Sequence, residues 1–220
     1  MFSWFKYKKS PDFWKDYLET FKTEQPKSIL NTRFVIFDTE TTGLDTSLDK
    51  ILSIGAIGVK NNIIDVADSL EIYLKQEAFN AGTVEIHGIL KEGSLTKISE
   101  AEAIEAFINY IGNSVLIAHH TAFDIDMINN ALKRLHLKKL KNKTIDTGIL
   151  YKKLEGKKDN HFSLDVLCKE LNIPQHDRHT ASGDAYITAQ LFLKIVSKLK
   201  QERNLHYSDL FRNGDKKGLL

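Results

Sequence analysis

The chain has 220 residues, with 31 Lys and Arg against 29 Asp and Glu and a formal charge of +2. That length suits one large domain with a real core, and near-neutrality excludes a protein that holds nucleic acid by bulk charge alone, so an anionic partner has to be met by local features. A single cysteine, Cys168, excludes a disulfide framework or a Cys-rich zinc site, and no apolar run approaches the roughly 18 residues of a membrane span.

In chain order, the start MFSWFKYKKS is aromatic and basic but lacks the apolar stretch of a signal peptide. The expectation is a soluble, cytoplasmic protein. Residues 1–30 read as an N-terminal helical extension. In PDFWKDYLETFKTEQP the aromatics Phe13, Trp14, Tyr17 and Phe21 are spaced like one helical face, between Pro11 and Pro26. Residues 31–200 read as the main domain and 201–220 as a C-terminal tail. RFVIFD is a strand, ILSIGAIGV from Ile51 a second, and NNIIDVADSLEIYL holds a third after an Asn61-Asn62 turn. Three strands with short connections imply an antiparallel meander. Helices and strands then alternate. Ser99 to Gly112 is an amphipathic helix with Ser99 and Glu102 at capping-box positions, SVLIAH is a buried strand, and Asp124 to Leu135 is helical. Ser163 caps a helix that ends near Leu171, and Thr180 to Leu199 forms a long final helix. The fold class is α/β, a mixed sheet with helices on its faces. The basic run KRLHLKKLKNK, Lys133 to Lys143, reads as a solvated helix end and loop.

One stretch breaks the pattern. In FVIFDTETTGL, an apolar run ends at Asp38 and Glu40, two apart and therefore on one face of the sheet. Two unpaired carboxylates there repel one another, so a cation or a proton has to relieve them. Carboxylate oxygens suit Mg²⁺ or Mn²⁺. A second acid, Asp124, sits in AHHTAFDIDMI where a strand gives way to a helix. Taken alone it would merely favour the helix N-terminus. A third group, His179 and Asp184 in RHTASGDAYITAQLF, lies at the start of the long helix, more than one turn apart. Asp126 is expected to face elsewhere, Asp146 to cap a helix, and Cys168 to act as a small buried hydrophobe.

Together FDTETTGL, HHTAFD and HTASGDA resemble the three motifs of the DEDDh 3′→5′ exonuclease superfamily, which includes the epsilon proofreading subunit of bacterial replicative polymerases and its stand-alone relatives. IHGI at Ile86 to Ile89 and FSLDVLCKELNI at Phe162 to Ile173 add to the resemblance, which runs from about Arg33 to Lys200. It implies an RNase H-like fold with a five-stranded mixed sheet flanked by helices. It also implies hydrolysis of DNA from the 3′ end to nucleoside 5′-monophosphates, in proofreading or repair, with two Mg²⁺ or Mn²⁺ ions per site.

By the same resemblance Asp38, Glu40, Asp124 and Asp184 are metal ligands and catalytic residues, and His179 accepts the proton of the attacking water. Backbone groups at Thr41, Thr42 and Gly43 meet the terminal nucleotide, with Gly43 giving room for close approach. His87 matches a nucleotide-contacting histidine. Leu44 is either a wedge against the last base or ordinary packing, and Phe123 either stacks near a base or packs in the core. Two departures stand out. His120 replaces a usual Asn, and Ser182-Gly183 replaces the usual apolar pair before Asp184. The expected partner is DNA with a single-stranded or frayed 3′ end. HYSDLF, His206 to Phe211, faintly resembles a sliding-clamp-binding peptide, which leaves a polymerase or clamp as a possible partner. The alternatives are an RNA-trimming, oligoribonuclease-like enzyme and a non-catalytic nucleic-acid-binding module. The Thr at position 41, where oligoribonucleases typically carry Met, favours DNA.

Overall fold

The computed structural model describes residues 10–77, 81–90, 95–156 and 162–211. The first nine residues of the N-terminal extension and residues 212–220 of the tail lie outside the described residues.

The sequence folds as a mixed sheet with helices on both faces. The strands are β1 (Phe34–Thr41), β2 (Ile51–Lys60), β3 (Ile63–Leu74), β4 (Lys97–Ile98), β5 (Val115–Ala118) and β6 (Thr144–Asp146). Their order across the sheet is β4-β3-β2-β1-β5-β6. The first three form the expected antiparallel meander, while β5 pairs parallel to β1 and β6 parallel to β5. Asn61 and Asn62 both take positive φ, 55° and 59°, as the tight turn between β2 and β3 requires. The sheet has six strands rather than the expected five. The extra one, β4, is two residues long and pairs parallel with Tyr73 and Leu74. A two-residue strand has no periodicity to read.

The helices are α1 (Asp12–Thr20), α2 (Ala81–His87), α3 (Glu100–Ile111), α4 (Thr121–Arg134), α5 (Thr147–Glu155), α6 (Leu164–Glu170) and α7 (Ala181–Glu202). Both predicted serine caps form. Ser99 and Glu102 exchange the reciprocal bonds of a capping box, and Ser163 accepts from the Val166 N–H. Among the described residues no helix is long and apolar enough to cross a membrane.

The first half of β1, Phe34 to Phe37, is apolar because both of its faces are covered. Phe34 and Ile36 join the core beneath α5, α6 and α7, whereas Val35 and Phe37 join the core beneath α1, α3 and α4. Helix α1 buries Trp14 and Tyr17 in the second core. It is also pinned by polar bonds. The Tyr17 hydroxyl donates to Asn142 Oδ1 (2.7 Å) and accepts from the Lys141 N–H (2.8 Å). The Asn142 amide donates onward to the Gly112 and Ser114 carbonyls. At the other end of the chain, HYSDLF is not a free peptide. Tyr207–Leu210 forms a 3₁₀ turn, Leu210 is 2% exposed, and the Lys153 ammonium donates to the Asp209 and Leu210 carbonyls. To bind this segment as a peptide, a clamp would have to draw Leu210 out of the core.

The longest helix, α7, lies across β1 and β2, and a glycine sets how closely. A Cβ on Gly55 would lie 2.1 Å from the Ala181 carbonyl carbon, a backbone atom that cannot rotate away. Gly55 is paired with Asp38 in the β1–β2 register. The first turn of α7 is therefore held directly beside the first acid of β1. Gly55→Ala should cost about 3 kcal/mol, the upper end for overpacking a tight contact. Urea unfolding followed by circular dichroism checks this, and an unchanged midpoint would show that α7 can shift freely.

Candidate active site

Even-numbered residues of β1 face α7, so Asp38 and Glu40 follow Phe34 and Ile36 onto that side of the sheet. The N-terminus of α7 brings Asp184 to them. One carboxylate oxygen from each of Asp38, Glu40 and Asp184 lies within 4.8 Å of the others. Thr39 points to the opposite side, and it holds Asp124. The Thr39 N–H and hydroxyl both donate to Asp124 Oδ1, at 3.0 and 2.7 Å. The site thus straddles the C-terminal end of β1, with three acids on one layer and Asp124 on the other.

Local structure around each helix start explains this placement. Helix α4 begins at Thr121, three residues earlier than the sequence suggested. His120 takes φ +62° and turns the chain out of β5. Asp146 fixes that turn from below. One of its oxygens accepts from the Thr121 N–H (2.9 Å), and the other caps α5 at Gly148 and Ile149. The expected cap therefore also anchors α4, and with it Asp124. His119 is structural, because its ring bonds both the Thr147 hydroxyl and the Phe162 carbonyl, each at 2.9 Å. Burial pulls its pKa down to about 4, so it stays neutral.

His179 precedes α7, in line with the expected helix start at Thr180, and does not share the helix's first turns with Asp184. The helix starts at Ala181 behind the Thr180 cap, and His179 sits outside it at φ +64° with its side chain exposed. Its backbone N–H donates to Asp184 Oδ2 (3.3 Å). The unusual Gly183 now has a reason. A Cβ there would lie 2.0 Å from the Asp177 carbonyl oxygen, so only glycine lets the 177–180 turn fold back onto the helix.

Electrostatics mark the cluster as strained without a cation. Burial, then repulsion from Asp124, Asp184 and Glu40, pushes Asp38 well above the usual carboxylate range. Glu40 is raised to about 7, first by burial and then by Asp184. Asp184 and Asp124 are raised as well, mainly by burial. The donors present also fit a hard divalent ion. All are carboxylate oxygens, and Asp184 Oδ1 is buried with no hydrogen-bond partner. The sequence reading missed Arg178, which donates to Asp184 Oδ2 and, through Nε, to Asp165 Oδ1 (2.7 Å).

The predicted substrate residues are arranged unevenly. The Thr41 hydroxyl bonds the Gly43 carbonyl, and the Thr42 hydroxyl bonds Asp49 (both 2.7 Å). Space beside Gly43 is taken by the Asp49 carboxylate, which a Cβ would meet at 2.5 Å. A larger residue here would displace Asp49 from its bonds to Thr42 and Asp45, so the loop itself gives the glycine a role besides the expected approach of a nucleotide. Leu44, in contrast, is 86% exposed. Phe123 is half-buried against the second core. His87 is buried, and its Nδ1 accepts from the Ile89 N–H (3.0 Å). In the neutral ring, which burial favours, the proton then sits on Nε2, which has no partner.

The fold and the acid cluster define a nuclease class, and comparison with known proteins agrees. A family model described as exonuclease matches residues 35–192, and the chain belongs to that family. Among curated relatives, the DNA polymerase III epsilon subunit of Buchnera aphidicola is 31% identical over 195 residues, covering 82% of this chain and 81% of that protein. The PolC-type DNA polymerase III of Oceanobacillus iheyensis is 29% identical over 188 residues, covering 85% of this chain. The chain spans only 13% of that relative's length. Two solved structures share the fold. Escherichia coli exonuclease I in complex with a dT13 oligonucleotide has a TM-score of 0.67 at 20% identity, over 78% of this chain and 42% of that one. Exonuclease X in complex with 5′-overhanging duplex DNA has a TM-score of 0.61 at 22% identity, over 81% and 97%.

The raised carboxylates make a pH prediction. Folded Glu40 holds a proton up to about pH 7, whereas unfolded it releases it near 4.5. The folded state therefore binds more protons in that window, and stability falls as pH rises through it. In chelator, the melting temperature should drop between pH 5 and pH 8, and Glu40→Gln should flatten the slope. Divalent metal should raise the melting temperature most at the alkaline end, because protons compete with it below pH 7. A melting temperature that climbs with pH in chelator would contradict this account.

Proposed function

We propose that the chain is a metal-dependent 3′→5′ exonuclease that trims DNA to nucleoside 5′-monophosphates, in proofreading or repair. The observation that carries this reading is the convergence of the Asp38, Glu40 and Asp184 oxygens within 4.8 Å, with Asp184 Oδ1 buried and unpartnered. Support for DNA comes from the relatives, which are named as DNA polymerase III subunits or polymerases. A DNA polymerase is accordingly the proposed functional partner. One structural neighbour was solved with a dT13 oligonucleotide and another with 5′-overhanging duplex, whose 3′ end is recessed, which supports DNA with a single-stranded or frayed 3′ end as the substrate.

On this reading Asp38, Glu40 and Asp184 would hold one Mg²⁺ or Mn²⁺, and Asp38 with Asp124 a second. Bound ions supply charge neutralisation for the phosphodiester and lower the pKa of water. The residues of the chain do the rest. Thr39 keeps Asp124 pointed at the site through two hydrogen bonds. His179, exposed beside Asp184, accepts the proton of the attacking water. His87 offers an Nε2 donor that the protein leaves unused. Exposed Leu44 lies against the last base, and backbone groups of Thr41 to Gly43 align the terminal nucleotide.

A 5′-labelled single-stranded DNA oligonucleotide should give a one-nucleotide ladder with Mg²⁺ or Mn²⁺. The ladder should vanish with chelator and in Asp124→Ala. His179→Ala should lose about 10²–10⁴-fold in kcat, the usual worth of a general base. A ladder confined to the matching RNA would transfer the protein to RNA trimming. Cleavage of neither substrate would leave a binding module.

A further inference from the structure

Among the described residues, Asp184 is the one metal-ligand candidate bound by a cation of the protein. Its two oxygens have different fates. Oδ2 accepts from Arg178 Nη1 and from the His179 N–H, while Oδ1 is buried and bare. Arg178 Nε binds Asp165 Oδ1 on α6 at 2.7 Å. Asp165 is 55% exposed and is not among the clustered acids. The guanidinium therefore bridges two helices, with α7's ligand on one prong and α6's first turn on the other. The backbone between them is stiff. The Thr180 hydroxyl and N–H both donate to the Asp177 carbonyl, and Asp177 and His179 take φ of 56° and 64°.

We infer that Arg178 is a positioning residue for the metal site: by bridging Asp165 and Asp184 it consumes Oδ2 and fixes the carboxylate so that Oδ1 is left for the ion. This rests on the metal-dependent reading above. The chemistry selects arginine. A planar fork can engage two carboxylates at once in fixed directions, whereas an ammonium is a single point charge on a flexible stem. The opposing account is that Arg178 is simply a positive charge near acids. The two accounts differ in sign. A bare charge repels an incoming cation, so its removal would tighten metal binding. A positioning bridge helps the ion to bind, so its removal would weaken binding.

The test is Mn²⁺ binding by calorimetry, without substrate, on wild type and on Arg178→Lys, Arg178→Met and Asp165→Asn. Positioning predicts that Lys and Met each weaken Mn²⁺ binding by about 10-fold, the low end for losing an outer partner of a metal ligand. Asp165→Asn should weaken it by less, and should add nothing to Arg178→Lys. Activity of Arg178→Lys should recover at saturating Mn²⁺, with an unchanged KM for oligonucleotide and a melting temperature near wild type. Lys binding Mn²⁺ like wild type, or Met binding it more tightly, would overturn the inference. So would a raised oligonucleotide KM at saturating Mn²⁺, which would make Arg178 a substrate contact. If wild type itself binds no Mn²⁺ while Asp184→Ala behaves identically, the metal reading fails and the inference with it. Asp165→Asn keeps the question open to disproof even where an Arg178 variant does not fold.

Discussion

Repulsion among crowded carboxylates is the constraint that the rest of this molecule answers. Half-buried Asp38 and Glu40 and buried Asp184 bring oxygens within 4.8 Å of one another, with buried Asp124 close behind, and that crowding is costly where water is partly excluded. A fold does not keep such a group to hold itself together. Every nearby feature makes sense as a means of assembling the cluster in spite of its cost. The core beneath it is large and close-packed, and Phe34, Ile36 and Phe37 are almost fully inaccessible. The apolar half of β1 supplies the stability, and the acidic end spends part of it on function.

The delivery of each acid depends on a different physical device. Asp38 and Glu40 rely on the two-residue period of a strand. Asp184 relies on the missing side chain of Gly55, which lets a helix backbone reach the sheet. Asp124 relies on Asp146, which ties the start of α4 to the start of α5, and on Thr39, which reaches it from the other side of β1. Because these devices lie on separate elements, the site is a product of the whole sheet rather than of one loop. That is also why its acids come from stretches as far apart as residues 38, 124 and 184.

Much of this was legible in the sequence. The strand meander, the two serine caps and the break in pattern at Asp38 are local, and local patterns survive folding. The missing pieces were not local. Strand β4 is too short for a period, and its existence depends on Tyr73 and Leu74 offering an open edge. The spacing of His179 and Asp184 was read as a helical one, yet Asp177 and His179 take positive φ and hold the histidine in a turn before the helix. Arg178 gave no signal, since a lone arginine beside a histidine in a loop is unremarkable until Asp165 is seen at its other prong. Gly43 was singled out for the approach of a nucleotide, and the place of Asp49 beside it could not be read from the sequence.

The loop after β1 shows how the same few residues divide the work. An exposed leucine alone means little, because folded surfaces carry many. What sets Leu44 apart is the stiffness beneath it. Asp49 accepts from the Thr42 hydroxyl and the Asp45 N–H, the Thr41 hydroxyl bonds the Gly43 carbonyl, and Asn130 on α4 donates to the Thr46 carbonyl. Both threonine hydroxyls are therefore committed to the loop, which presents Leu44 and Leu48 outward alongside Asp45 and Ser47. A flexible loop would fold its leucine back against the core. This one is fastened on both sides and keeps Leu44 in water, four residues along the chain from Glu40. On the proposed function, an unpaired base would offer an apolar face of the right size for it, and a phosphate would not. The acids would then have only the backbone of the nucleotide to manage.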